Sequence, residues 1–189
     1  MKLFENKYRI KSARLKDWDY SSDGYYFVTI CTKNKENFFG EIRNKEMFLS
    51  PVGAIAEKFW QEIPEHFTNV KLDVFVVMPN HIHGIVIIDN WNEGVETPRR
   101  GVSTVDRNPH HKSEWKPNSL GSIINQFKSV CTKRVREINP DFAWQPRFHD
   151  HIILDDKEHN NIQDYILTNV ANWEKDEENP HFKNAAQKN

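Results

Sequence analysis

Cysteine is scarce in this chain of 189 residues: only Cys31 and Cys131 occur, and no Cys-x-x-Cys spacing exists. That argues against a thiolate zinc knuckle. Both cysteines fall in apolar-periodic segments and are expected to be small buried core residues of a protein from a reducing compartment. Long hydrophobic runs are absent too. No stretch approaches the roughly 20 apolar residues of a membrane span, and the basic N-terminus lacks a signal peptide's apolar core. A cytoplasmic protein without membrane contact is expected. Net charge is close to zero, at −1, so total charge does not argue for a nucleic-acid partner. There is no internal repeat, and the length suits a single domain with one full core.

What the total hides, the distribution shows. Residues 1–16 carry Lys2, Lys7, Arg9, Lys11, Arg14 and Lys16 against Glu5 alone. Lys128, Lys133, Arg134 and Arg136 cluster late in a predicted helix, and Glu174, Asp176, Glu177 and Glu178 offset them in what reads as a polar tail over about 174–189. Local basic patches of this kind are the footprint of phosphate binding, although a solvated face explains each patch equally well. Residues 91–117 hold Gly94, Pro98, Gly101, Pro109 and Pro117 without periodicity and read as a long loop. Arg99, Arg100, Arg107 and Lys112 within it suit contact with an anion.

The periodic segments predict an ordered set of elements. Tyr25 to Thr32 is a β-branched and aromatic run that reads as a buried strand. Phe38 to Ser50 reads as a small hairpin turning at Asn44-Lys45. Val52, Ile55, Ala56, Phe59, Trp60 and Ile63 recur at helical spacing in a helix starting at Pro51. Val74 to Met78 is a strand that turns at Pro79-Asn80 and returns over His81 to Asp89. Leu120, Ile123, Ile124, Phe127, Val130, Cys131, Val135 and Ile138 mark a second long helix. Arg147 to Leu154 is a last strand, and Asp156 to about Trp173 a last helix. Setting the small hairpin aside, this order predicts an α+β, ferredoxin-like βαββαβ antiparallel sheet with an extra C-terminal helix.

His81-Ile82-His83 is the most informative feature. Residues two apart on a strand share a face, so a rigid hydrophobic strand presents two imidazoles side by side. The bare spacing is weak, since 9 histidines occur in the chain and a second such pair stands at His149-Asp150-His151. In that second pair the intervening charge of Asp150 favours hydrogen bonding or orientation of a ligand over ligation, with His151 the candidate for that supporting role. His66, His110, His111, His159 and His181 read as surface groups. On the last helix, Ile162, Ile166, Val170 and Trp173 form a buried stripe, while Tyr165 and Asn169 are i and i+4 neighbours on its flank. Taken alone, Tyr165 reads first as an amphipathic tyrosine with its ring packed and its hydroxyl in water, and Asn169 as a helix C-terminal cap.

Four segments taken together resemble a known family: Asp23 to Thr29, Val77-Met78-Pro79-Asn80-His81-Ile82-His83, Trp144 to Ile153, and Tyr165-Ile166-Leu167-Thr168-Asn169. They are similar, over roughly residues 8–175, to the single-tyrosine HUH transposases, in particular the REP-associated tyrosine transposases and their insertion-sequence relatives. Many relatives have Asn-Pro where this chain has Asn169-Val170, which leaves the helix free to continue. The resemblance implies that His81, His83 and Asn169 bind Mg²⁺ or Mn²⁺ and that Tyr165 is the nucleophile. It implies a metal-dependent endonuclease and strand transferase that forms a 5′-phosphotyrosine with single-stranded DNA bearing a hairpin or palindromic repeat. Lys11, Arg14, Arg99, Arg100, Lys128, Lys133 and Arg134 are then candidate DNA contacts, and Trp91, Trp115 and Trp144 candidate stacking surfaces. A homodimer that shares tyrosine helices and a monomer acting in cis both remain open. So do two alternatives: a non-catalytic ferredoxin-like nucleic-acid-binding module, and an HUH replication initiator or relaxase-type nickase.

Overall fold

The computed structural model describes residues 18–90, 117–180 and 182; the basic arm at 1–16 and nearly all of the 91–117 segment lie outside them. The elements follow in the order β1 (Gly24–Cys31), β2 (Gly40–Arg43), β3 (Glu46–Leu49), α1 (Pro51–Gln61), α2 (Ile63–His66), β4 (Val70–Val77), β5 (His81–Ile88), α3 (Leu120–Val135), β6 (His149–Ile153) and α4 (Asp156–Thr168), followed by a 3₁₀ turn at Val170–Lys175. Four strands form one antiparallel sheet in the order β4-β5-β1-β6, and β2 with β3 forms a separate hairpin. The molecule is thus a mixed α/β protein. The strand bearing the histidine pair is central, as the sequence predicts. No helix among the described residues is long and apolar enough to cross a membrane.

Strand periodicity divides the sheet into two unlike faces. Tyr26, Val28, Ile30, Ile82, Val86 and Ile152 point to one side, where they form the main core with Trp60 of α1 and Ile123, Ile124 and Phe127 of α3. On the other side Ile85 and Ile153 meet Ile166 of α4 in a smaller cluster, joined by Phe27, Val74, Val76, Ile87 and Ile162. His81 and His83 share this second face.

Local chemistry fixes the ends of the helices. Ser50 caps α1 by accepting from the Gly53 N–H at 3.1 Å, with Pro51 at the first helical position. Asp155 caps α4 by accepting from the Glu158 N–H at 2.8 Å. The small hairpin turns at Asn44-Lys45, whose φ values of 51° and 64° are those of a turn matched to strand twist. A bulge in β4 between Leu72 and Phe75 brings Asp73 under α4, where its carboxylate accepts from His159 Nε2 at 2.6 Å and Gln163 Nε2 at 2.8 Å. His159, expected at the surface, is one of the ties that hold α4 on the sheet.

Gly84 stands next to His83 and faces the main core. A Cβ there would lie 2.5 Å from Cζ2 of Trp60 and 3.0 Å from Cβ of Phe75. The missing side chain is what lets the fully buried indole lie flat against β5. Gly84→Ala should therefore lower stability by about 1–3 kcal/mol through overpacking, read as a reduced urea midpoint at constant slope. An unchanged midpoint would show that Trp60 has room to move.

Candidate metal and nucleophile site

The site begins with Asn80, the turn residue before β5, which is fully buried. Its amide nitrogen donates to the carbonyls of Lys35 (3.0 Å) and Glu178 (2.9 Å), so its oxygen must face His81 Nδ1, 2.8 Å away. His81 Nδ1 therefore carries the proton, and Nε2 presents a lone pair to the other side. On His83 it is the Thr29 hydroxyl that engages Nδ1, at 2.9 Å. Both imidazoles are thus turned with Nε2 outward, and their ring centroids are 4.3 Å apart.

Three elements converge on these two nitrogens. From α4, the Tyr165 hydroxyl lies within hydrogen-bonding distance of His83 Nε2, at 3.2 Å. From the α4 terminus comes Asn169, which is buried. From the chain beyond the 3₁₀ turn comes Asp176, with Oδ2 at 3.8 Å from His81 Nε2. The ligand atoms of His81, His83 and Asp176 all lie within 4.8 Å of one another. Trp173 stands over His81, with ring centroids 6.1 Å apart.

The polar atoms left over are the telling ones. Among the described residues, His81 Nε2, Asn169 Oδ1 and Asp176 Oδ2 are buried without a hydrogen-bond partner. Each is a lone-pair atom, and leaving such groups unsatisfied costs about 1–3 kcal/mol apiece. Imidazole nitrogen, amide oxygen and carboxylate oxygen are together the donor set of a divalent cation. The residues present fit a metal ion.

Burial and neighbouring charge set the protonation states. Burial holds His81 well below its ordinary range, assisted by the charge of His83, and pulls His83 down to about 3, assisted by His149. Both imidazoles are neutral and available as ligands. Burial also raises the Tyr165 phenol to about 12, with the negative charge of Asp176 adding to the effect and the amide of Asn169 opposing it. The Asp176 carboxyl is raised by burial, again opposed by Asn169.

The sequence reading placed His81, His83, Tyr165 and Asn169 in one site, and the structure brings them together. It brings Asp176 as well, which sequence reasoning left in a polar tail. Asp176 and Asn179 are buried, and Lys35 pairs with Glu178 at 2.5 Å to pin this segment. The signal for Asp176 was weak, one acid among several, though it follows Trp173 of the buried stripe by three residues. Other expected residues lie elsewhere. His151 turns to Glu158 at 2.7 Å, away from the cluster. The Lys128 ammonium donates to the carbonyls of Gln145 and Arg147 at 2.8 and 3.0 Å and so braces a loop. Arg134 pairs with Glu137, and Lys133 is exposed on α3. Trp144 packs against Phe39, Phe127 and Phe142. Cys131 is buried as expected, whereas Cys31 is only partly buried beside Glu178 on the site face. Lys11, Arg14, Arg99, Arg100, Trp91 and Trp115 lie outside the described residues.

The neutral imidazoles carry a consequence for stability. In the unfolded chain histidine titrates near 6.5, so below that pH the unfolded state binds protons that the folded state does not. Stability should fall as pH drops below 6.5 and continue to fall towards about 3, the folded value of His83. The slope is up to about 1.4 kcal/mol per pH unit for each histidine. Denaturant titrations in EDTA between pH 7 and pH 5 should show this, and His83→Gln should flatten the slope by that amount. Equal slopes for both proteins would mean that His83 takes up a proton in the folded state.

No family model matches the chain. Among solved structures, a REP-associated tyrosine transposase bound to a REP hairpin aligns with a TM-score of 0.48 and 17% identity over 85% of this chain and 73% of that one. A protein from Deinococcus radiodurans, proposed to be a transposase, aligns with a TM-score of 0.44 and 13% identity over 82% and 95%. An uncharacterized protein of Haemophilus influenzae is 36% identical over 178 residues, 88% of this chain and 91% of its own length. With that identity over nearly the whole of both chains, this protein belongs to the same family as the Haemophilus influenzae protein.

Proposed function

We propose that this protein is a metal-dependent, single-stranded DNA endonuclease and strand transferase that works through a covalent 5′-phosphotyrosine on Tyr165. The observation that carries the reading is the meeting of the hydroxyl of a half-exposed tyrosine with two outward-facing imidazole nitrogens, 3.2 Å from the nearer one. A structural tyrosine on an amphipathic helix has no need of such partners. The four sequence segments that resemble the single-tyrosine HUH transposases include all four of the residues first assigned to the site. The strand order β4-β5-β1-β6 with α1 and α3 on one face and α4 on the other supports the ferredoxin-like arrangement expected for them. A hairpin or palindromic DNA as substrate, and the choice between a monomer and a homodimer, rest on that resemblance.

His81 and His83 hold the ion in this reading, with Asn169 and Asp176 completing the protein's share of its ligands. Bound there, Mg²⁺ or Mn²⁺ neutralises and orients a phosphodiester for in-line displacement. Burial and Asp176 raise the Tyr165 phenol further above its ordinary value, so the protonated hydroxyl needs a change of charge in the site to become an effective nucleophile. Asn169 favours the phenolate through its amide. Attack by the Tyr165 oxygen on phosphorus forms the phosphotyrosine and releases a 3′-hydroxyl. The new ester conserves the bond energy, so rejoining requires no nucleotide cofactor. A pure binding module would not bring Tyr165 to the histidine pair.

Incubation with Mn²⁺ and a hairpin-bearing single strand should give a protein–DNA adduct that survives denaturation. Tyr165→Phe should abolish the adduct and leave DNA binding within about twofold, because the ring contacts to Phe27 and His83 remain. Adduct formation by the phenylalanine variant, or in EDTA, rejects the assignment. Asn80→Ala should weaken Mn²⁺ binding by about 10–100-fold, the usual effect of removing the partner that orients a ligand. Calorimetric titration of metal into a variant shown to be folded by circular dichroism measures it, and undiminished affinity would remove Asn80 from the site.

A further inference from the structure

Tyr165 opens onto a cleft of about 1190 Å³ that runs across β1 to the start of β6. One wall carries Tyr165, Asp176, Glu177 and Glu178; the opposite wall is the segment 145–149. That second wall is a built structure. Lys128 reaches from α3 to hold the carbonyls of Gln145 and Arg147, and the Gln145 N–H donates to the Cys31 carbonyl at 2.9 Å. Arg147 is held at φ 67°, a left-handed conformation that costs a non-glycine residue energy and that clusters at functional sites. The chain leaves this strained corner straight into His149, which is exposed.

The register places His149 exactly two strands from the metal ligands. His149 pairs with Thr29 across β1 and β6, and Thr29 pairs with His83 across β1 and β5. At about 4.8 Å per strand, the backbone of His149 stands roughly 10 Å from that of His83 on the same face. In phosphoryl transfer the entering and leaving oxygens lie roughly in line on opposite sides of phosphorus. With the phenol on one wall, the leaving 3′-oxygen points across β1 towards the other. The basic side chains there are Arg147 and His149, and the carboxylate of Asp150, which follows them, is buried. A guanidinium has no proton to give near neutral pH, whereas a histidine can both give and take one.

We propose that His149 is the catalytic acid for the leaving 3′-oxygen, an inference that rests on the strand-transfer reading of Tyr165. As the Tyr165 oxygen bonds to phosphorus, the bond from phosphorus to the 3′-oxygen breaks. Its electron pair goes to that oxygen, which takes the proton of the His149 imidazolium; the phenol proton passes to water in the cleft. In rejoining, neutral His149 takes the proton of the attacking 3′-hydroxyl as the phosphotyrosine bond breaks; the electron pair of that bond goes to the Tyr165 oxygen, which takes a proton from water in the cleft, and His149 is returned to the charged form. The roles are one step and its reverse. Lys35, the other cation of the cleft, is engaged with Glu178 on the tyrosine side.

A strand with a bridging 3′-sulfur at the cleaved position tests this, because a thiolate leaves without a proton. Adduct formation by His149→Ala is compared with that of the wild-type chain on the oxygen strand and the sulfur strand, in Mn²⁺. General acid catalysis is worth about 10²–10⁴-fold, so the variant should be slower by that factor on oxygen and within about threefold of wild type on sulfur. Wild-type rates on the oxygen strand overturn the proposal. Equal losses on both strands overturn it as well, since they assign His149 to positioning. If the wild-type chain forms no adduct with either strand, the reading of Tyr165 itself falls, and this inference with it.

Discussion

The antiparallel pairing of β1 with β5, from Gly24↔Ile88 to Cys31↔His81, governs both the core and the site. Every second residue of β5 goes to each face, so one register buries Ile82, Val86 and Ile88 and sends His81 and His83 to the other side. A slip of one residue would exchange the two sets, placing imidazoles under α1 and α3 and isoleucines in the cleft. Register is held where slippage would be most damaging. Gly84 admits the Trp60 ring from the core side, Thr29 meets His83 from the site side, and the Thr32 N–H donates to the Asn80 carbonyl at 2.9 Å just beyond the strand end.

Asn80 then connects this register to the C-terminal part of the chain. One side chain orients His81 and binds the carbonyl of Glu178, 98 residues further on. The position of Asp176 is therefore tied to the same residue that aims the imidazole. This coupling explains how a segment rich in acids can lie against the protein instead of in water. Its backbone is anchored by Asn80, Glu178 is neutralised by Lys35, and the Asp176 carboxylate is held by the Glu178 N–H at 2.6 Å.

The electrostatic character of the site follows from burial more than from its formal charges. Neutral imidazoles and a protonated phenol are the states that a dry pocket favours, and Asp176 raises the phenol further. A cation among these groups would reverse the balance for the tyrosine and the carboxylate together while using lone pairs the imidazoles already offer. The pocket thus combines donors that suit a metal with a tyrosine hydroxyl 3.2 Å from one of them. Opposite it, the strained corner at Arg147 carries β6 into the cleft.

Much of this was legible in the sequence because it depends on short-range pattern. Alternation in Val74 to Ile88, helical spacing from Val52 and from Leu120, and turn residues at Asn44-Lys45 and Pro79-Asn80 specified the elements and their order. Two-residue spacing put His81 and His83 on one face, and four-residue spacing put Tyr165 beside Asn169. What the sequence could not specify were partners chosen across long separations. Asp176 looks like its acidic neighbours until the fold buries it, and Lys128 looks like a phosphate contact until two carbonyls claim it. His149 and His151 have identical spacing and like composition, yet strand pairing gives one the cleft and Glu158 takes the other. Periodicity decides which face a residue occupies, but what that face meets is set by packing among distant elements, and there the tertiary structure alone decides.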